Sequence, residues 1–325
     1  MATPSYYPTL FDKSNTEGWL SHLDDRGFVM IKNVLTPSEL EKSKSQFIAD
    51  WKKVCPQFSF SDPSTWTINN TPIMWSKGMC VFSGLPQSNF MWNLRTNDDI
   101  QNIYKKIYQT DSLVTSLDGL SVFLDNTHKS KSWLHIDQNP KNDIYSIQGS
   151  FNLLPVKSNK DAGFIIVSDS HKTYRPIVSH KNDWIVCEDQ TDQSAKAKKL
   201  IIPENCLTLW NSRLIHANEA IKMSKTEFQN RISQTHQDQS NPLSLFNRVT
   251  AYITYQPKTM RSSEIIEKRI ECYKNGQGTS HWANKCEVKR YPFGFQKNYL
   301  ARNIVNLSPL LDEDGNIPEE RLDLL

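Results

Sequence analysis

His135-Ile136-Asp137, followed far downstream by His216 in Leu209-Trp210-Asn211-Ser212-Arg213-Leu214-Ile215-His216, places two imidazoles and one carboxylate in an order that could do chemistry. That donor set is the facial triad, which holds a ferrous ion from one side and leaves the opposite face open for oxygen and substrate. The spacing suits a strand. Residues i and i+2 project to the same side of a sheet, so His135 and Asp137 can converge on one ion while Ile136 packs behind them. On this reading the chain is an oxygen-activating iron enzyme.

A His-X-Asp triplet is common by chance, so its surroundings decide what it is worth. Upstream, Leu117 to Asn126 reads as a strand and turn, and Lys131-Ser132-Trp133-Leu134 leads into the first ligand. Downstream, Ile144 to Leu154, Gly163 to Val167 and Leu207 to Trp210 are short runs of β-formers bounded by Asn, Asp, Gly, Pro and Lys. The motif therefore sits among strands, where its geometry works. Further elements follow from local signals. Trp19 to Arg26 reads as a helix stopped by Gly27, with a strand over Phe28 to Ile31. Thr36, Pro37 and Glu39 make a capping box for a helix to about Trp51, and residues 97–109 place Ile100, Ile103, Tyr104 and Ile107 on one helical stripe. Pro56 to Asn93 is aromatic and loop-rich. Two polar insertions, Glu188 to Lys199 and Lys222 to Pro242, read as solvated loops or as a cover for the site. Glu264 to Tyr273 reads as a charged helix, and the acidic tail from Asp312 as peripheral.

The chain has 325 residues, 38% of them apolar, and a net charge of +3 from nearly balanced acids and bases. That balance implies no strong field toward nucleic acid or membrane and leaves the partner open. No apolar run reaches the length of a transmembrane span, and the first residues lack a basic and apolar leader. The ending Asp323-Leu324-Leu325 is not a peroxisomal signal. Six cysteines scattered through a chain of this size suit reduced thiols, so a cytoplasmic location is expected. With no internal repeat, a single oxygenase domain is expected: an N-terminal helical and loop elaboration (1–112), a β core (113–260) with insertions at 188–199 and 222–242, and a C-terminal extension (261–325).

From about Trp19 to Pro257 the chain resembles the phytanoyl-CoA dioxygenase family of iron(II)- and 2-oxoglutarate-dependent oxygenases. The resemblance is carried by Asp25 to Leu35, by Trp133-Leu134-His135-Ile136-Asp137-Gln138, by Ala162 to His171 and by Leu209 to His216. In the third segment Ser168-Asp169 stand where the family has Pro-Gly. The resemblance implies a mainly β fold with flanking helices around a double-stranded β-helix, the cupin-like jelly roll. It also implies Fe(II), 2-oxoglutarate and O2, with His135, Asp137 and His216 on the metal. An Arg on a later strand should clamp the far carboxylate of 2-oxoglutarate. Arg248 is the best candidate, with Thr250 beside it on the same face, because a guanidinium fork pairs bidentately with a carboxylate. Arg231 is its rival, placed by the sequence in a polar, loop-like context. The expected reaction is hydroxylation of an unidentified small molecule coupled to decarboxylation of 2-oxoglutarate to succinate. Halogenating relatives have a small residue at the position of Asp137. The alternative is a catalytically silent β-helix homologue that binds a ligand or a protein.

Other residues receive duller readings. Cys272, His281 and Cys286 lack a fourth zinc ligand and a compact-finger spacing. His171 reads as structural or site-lining, His128 and His180 as loop residues. Trp75, Trp92, Trp133, Tyr145 and Trp282 read as core, with a substrate cavity the rarer use. Gln138 is a candidate to orient a ligand. Lys285, Lys289 and Arg290 around Tyr291 read as a solvated basic face.

Overall fold

Short runs of β-branched and aromatic residues pair into two mixed sheets in the unit that carries the triad, made of Met1–Val34, Phe123–Gln229 and Asn247–Thr250. The computed structural model describes residues 3–74, 78–124, 133–178, 181–237, 242–290 and 302–325. Trp75, His128, His180 and Tyr291 lie outside the described residues. In the first sheet the order is Ser5–Tyr6, Lys198–Leu200, Gly163–Val167, Ile215–Glu219, His135–Ile136, Ile185–Val186. The second sheet has seven strands, in the order Leu10–Asp12, Phe28–Lys32, Cys206–Asn211, Ile147–Asn152, Arg248–Tyr252, Leu120–Phe123, Met79–Cys80, of which the first four and the start of the fifth belong to this unit. Strand alternation divides the first sheet into two faces. Leu134, Ile136, Ile165, Val167, Ile215 and Ala217 share one apolar cluster, which leaves His135, Asp137, Ile166, His216 and Asn218 to the other side. The expected packing of Ile136 behind the ligands is what the fold contains.

Helix Thr16–Arg26 enters through Asn15, whose side chain accepts from the Gly18 amide at 3.2 Å, and leaves through Gly27 at φ 77°. The left-handed turn suits glycine for two reasons. A side chain pays a penalty at that φ, and a Cβ here would lie 2.4 Å from Nδ1 of His171. His171 in turn bonds the Asp24 carbonyl through Nε2 at 3.0 Å, which accounts for it as a structural residue. Asp169, standing where the resembled family has glycine, adopts φ 64°. Asp is among the few side chains that tolerate this conformation, so the turn survives the exchange.

The other unit comprises Leu35–Val122, Asn230–Phe246 and Ala251–Leu325. Thr36 forms the expected capping box with Glu39 at the start of helix Pro37–Val54. Phe47 and Trp51 on that helix are buried with edge-on contacts to Phe246, and Phe47 also meets Phe90. Helix Asp98–Tyr108 buries Ile100, Ile103, Tyr104 and Ile107 as its stripe foretold. Trp92 and Trp282 are fully buried here and belong to the core. No helix among the described residues is long and apolar enough to cross a membrane.

Three expectations need correction. The insertion 188–199 is not simply a solvated loop: it forms helix Gln190–Lys196 and then strand Lys198–Leu200, where Lys199 is fully buried and pairs with Glu219 at 2.7 Å. Its ammonium also donates to the Asn159 and Asp161 carbonyls, so the desolvated charge is satisfied on all sides. The second insertion contains helix Lys225–Gln237, begun by a reciprocal Ser224 and Glu227 cap and tethered by Lys160. Finally, the acidic tail is not peripheral, since Leu324 and Leu325 are buried and the Arg269 guanidinium donates to the Leu325 carbonyl at 2.6 Å.

Gly27→Ala should lower stability by about 1–2 kcal/mol or more from the left-handed φ alone, with the clash added. If the His171 contact is a real part of that cost, Gly27→Ala combined with His171→Ala will be less destabilised than the sum of the singles in urea unfolding. Strict additivity would remove His171 from the explanation.

Candidate metal centre

The two histidines meet because their strands pair antiparallel with His216 directly opposite His135. Their ring centroids are 4.4 Å apart. Asp137 follows the short strand His135–Ile136, and its amide donates to the Ser212 carbonyl at 2.9 Å. Its carboxylate lies 3.6 Å from Nε2 of His135 and 3.2 Å from Nε2 of His216. One ligand atom from each of the three side chains falls within a 4.8 Å cluster. Among the described residues this is the one grouping of three such donors, and Cys272, His281 and Cys286 do not form another.

Both imidazoles are held in the same way. Nδ1 of His135 is 2.9 Å from the Trp133 carbonyl, and Nδ1 of His216 is 2.9 Å from the Leu214 carbonyl. A carbonyl can only accept, so each Nδ1 carries the proton and each Nε2 is left as a lone-pair donor toward Asp137. This is the outer support that a metal-binding histidine needs, and it is supplied twice by the carbonyl two residues earlier. Trp133 stacks on His135 at 4.5 Å and anchors its own indole Nε1 on the Asn218 carbonyl at 2.8 Å. Trp210 and Phe164 flank His216 at 5.4 and 5.5 Å. The His135 and His216 side chains are only 5% and 6% exposed and that of Asp137 14%, so the cluster is buried.

The carboxylate is oriented from the second sheet. Gln148 donates to Oδ2 of Asp137 at 3.0 Å and contacts Oγ of Ser212, which itself bonds Oγ of Ser146 at 2.9 Å. Sequence reasoning had offered Gln138 for this task. Gln138 instead donates to the Asn142 and Ile144 carbonyls and secures the loop after the motif. The signal for Gln148 was available: Gln148, Ser150 and Asn152 are polar at every second position of a strand whose residues are all buried.

Arg248 is fully buried. Its Nη1 donates to Oδ1 of Asn218 at 2.8 Å and to the Gly163 carbonyl at 3.2 Å, while Nε donates to the Thr250 hydroxyl at 3.1 Å. Asn218 is two residues beyond His216 on one strand, so it shares that residue's face and ties the guanidinium to the metal-side strand. Thr250 thus positions the arginine. Arg231 lies on a helix, not in a loop, and donates to the Ser244 and Phe246 carbonyls. Of the aromatic candidates, Trp133 is at the site, while Tyr145 is 47% exposed. Trp184, which the sequence reading passed over, is 52% exposed with its ring 5.9 Å from His135.

No family model matches the chain. Among curated proteins it is similar to Ava biosynthesis cluster protein O of Aspergillus versicolor, with 25% identity over 225 residues covering 63% of this chain and 72% of that protein. Among solved structures it is similar to EvdMO1, with a TM-score of 0.50 and 12% identity over 74% of this chain and 49% of that one. It is also similar to the epimerase SnoN in complex with Fe3+, alpha ketoglutarate and nogalamycin RO, with a TM-score of 0.49 and 12% identity over 76% of this chain and 86% of SnoN.

Gln148→Leu removes the donor to Asp137 while keeping volume. It should weaken binding of Mn(II) or anaerobic Fe(II), followed by titration calorimetry, about 10- to 100-fold with the fold intact by circular dichroism. Unchanged affinity would mean that Asp137 needs no help from the second sheet.

Proposed function

We propose that this chain is an Fe(II)- and 2-oxoglutarate-dependent dioxygenase that hydroxylates a small molecule, built on a double-stranded β-helix core. The observation that carries the reading is the doubly supported pair of Nε2 donors facing one carboxylate. A hydrogen-bonded core histidine does not need its second nitrogen aimed at another histidine and an aspartate, whereas a facial ligand set does. Bound iron would supply oxygen activation coupled to decarboxylation of 2-oxoglutarate to succinate.

The chain's own residues supply the rest. His135, Asp137 and His216 would hold the ion, the histidines in the tautomer that presents an Nε2 lone pair. Arg248 provides a permanent, desolvated positive charge for the distal carboxylate of 2-oxoglutarate, and Asn218, Gly163 and Thr250 fix the plane of its guanidinium. Phe164 and Trp210 keep one side of His216 apolar, which limits water near the ligands. The resemblance to phytanoyl-CoA dioxygenases supports the reading from outside the site.

Anaerobic titration of the purified protein with Fe(II) and 2-oxoglutarate should produce a weak visible metal-to-ligand charge-transfer band that His216→Ala abolishes. Absence of the band, with neither component bound by folded protein, would favour the silent ligand-binding homologue. Asp137→Ala should lose 2-oxoglutarate turnover without unfolding. Arg248→Ala should raise the 2-oxoglutarate requirement about 100-fold, as expected when one partner of a buried charged pair is truncated, and Arg231→Ala much less. The opposite ranking would move the clamp to Arg231.

A further inference from the structure

Cys272 and Cys286 lie with their sulfur atoms 3.4 Å apart, within hydrogen-bond contact of one another. Cys272 is carried by helix Ser263–Lys274 and is buried, whereas Cys286 is part-exposed in the loop bracketed by the antiparallel bridge between Thr279 and Val288. Both line an open cavity of about 930 Å³. Three cationic side chains, Lys268, Lys289 and Arg290, line it too, against one carboxylate, Glu271. The remaining cysteines, Cys55, Cys80, Cys187 and Cys206, are all buried. This pair therefore differs from them in access and local charge.

We propose that Cys272 and Cys286 form a thiol–disulfide exchange site that accepts a small anionic disulfide in this basic cavity and closes into an intramolecular disulfide. The exposed Cys286 attacks as thiolate. Its sulfur bonds one sulfur of the incoming disulfide RS–SR, the S–S bond breaks, and RS⁻ leaves. Cys272 then releases its proton to solvent and attacks the Cys286 sulfur, expelling the second RS⁻. Two protein thiols have been oxidised and one disulfide reduced to two thiols, so electrons and atoms balance without another oxidant.

The division of labour follows from access, since Cys286 is part-exposed and Cys272 buried. The Cys272 thiol is pushed up by its contact with Cys286 and by burial, while Cys286 is lowered by that contact and by Arg269 and Lys268 nearby. Bonding contracts the sulfur separation from contact to about 2.05 Å, which requires the 279–288 loop to close onto the helix by little more than 1 Å. The cationic wall of Lys289 and Arg290 supplies recognition by drawing a negatively charged disulfide, whereas the cations that act on the Cys286 sulfur itself are Arg269 and Lys268. The reaction is confined to the second unit and is independent of the proposed oxygenase chemistry.

The test treats reduced full-length protein with oxidised glutathione, or with neutral bis(2-hydroxyethyl) disulfide, and maps cysteines by mass spectrometry without reduction. In the folded protein a Cys272–Cys286 cross-link with loss of two hydrogens is expected, while the four buried cysteines stay unmodified until denaturation. Cys272→Ser should stop at a glutathione adduct on Cys286, and Cys286→Ser should yield neither product. Lys289→Glu with Arg290→Glu should slow the glutathione reaction about tenfold and leave the neutral one unchanged. No cross-link in folded wild type, or an adduct that Cys272 never resolves, would overturn the proposal. Equal slowing with both reagents would overturn the assignment of an anionic partner.

Discussion

The antiparallel register that sets His216 opposite His135 is the constraint on which the centre depends. A cross-strand pair puts two imidazoles within a few ångströms with no help from loops, and the two-residue period brings Asp137 to the same side. Each histidine is then held by the backbone two residues before it, through the Trp133 and Leu214 carbonyls. Had either histidine needed a side-chain partner, a further buried polar group would have required satisfaction. Here the sheet itself sets the tautomers.

The second sheet adds what one sheet cannot. Gln148 reaches Asp137, Trp210 meets Phe164 at 4.6 Å, and Arg248 reaches Asn218. These three contacts differ in kind: one orients a carboxylate, one packs two rings, one holds a charge. Behind the His216 face, Lys199 and Glu219 form a buried ion pair, Glu219 on the His216 strand and Lys199 on the strand two places away in the same sheet. Losing either partner would leave an uncompensated charge, so this pair ties the Lys198–Leu200 strand to the His216 strand rather than adding much net stability.

What was legible in the sequence was what short-range physics governs. The convergence of His135 and Asp137 followed from strand alternation, the helices at Thr36 and Asn97 from a cap and a stripe, and the place of Arg248 beside Thr250 from a strand pattern. Gln148 was missed in favour of the adjacent Gln138 because the true partner comes from another sheet, and nearness in sequence says little about that. Lys199 lay in a run of polar residues that reads as solvent-facing, and only the fold reveals Glu219 beside it. The helix at Lys225 had a readable start, Ser224 followed three residues later by Glu227, but a weakly amphipathic body hid it. Burial of Leu324 and Leu325 depends on Arg269, more than fifty residues away, and acidic neighbours disguised it.

The turn Ser212-Arg213-Leu214 joins the second sheet to the His216 strand while its first residue also anchors Asp137 and Gln148. Because Ile215 and Ala217 serve the apolar cluster and His216 and Asn218 the centre, the strand is read in two phases. Inserting or deleting one residue in that turn would exchange the phases, sending imidazole into the apolar layer and isoleucine or alanine to the ligand position. The segment after Lys222 carries no such double duty. Length variation in descendants of this chain is therefore channelled: the helix-bearing insertion can grow or shrink, whereas the three-residue turn has one permitted length.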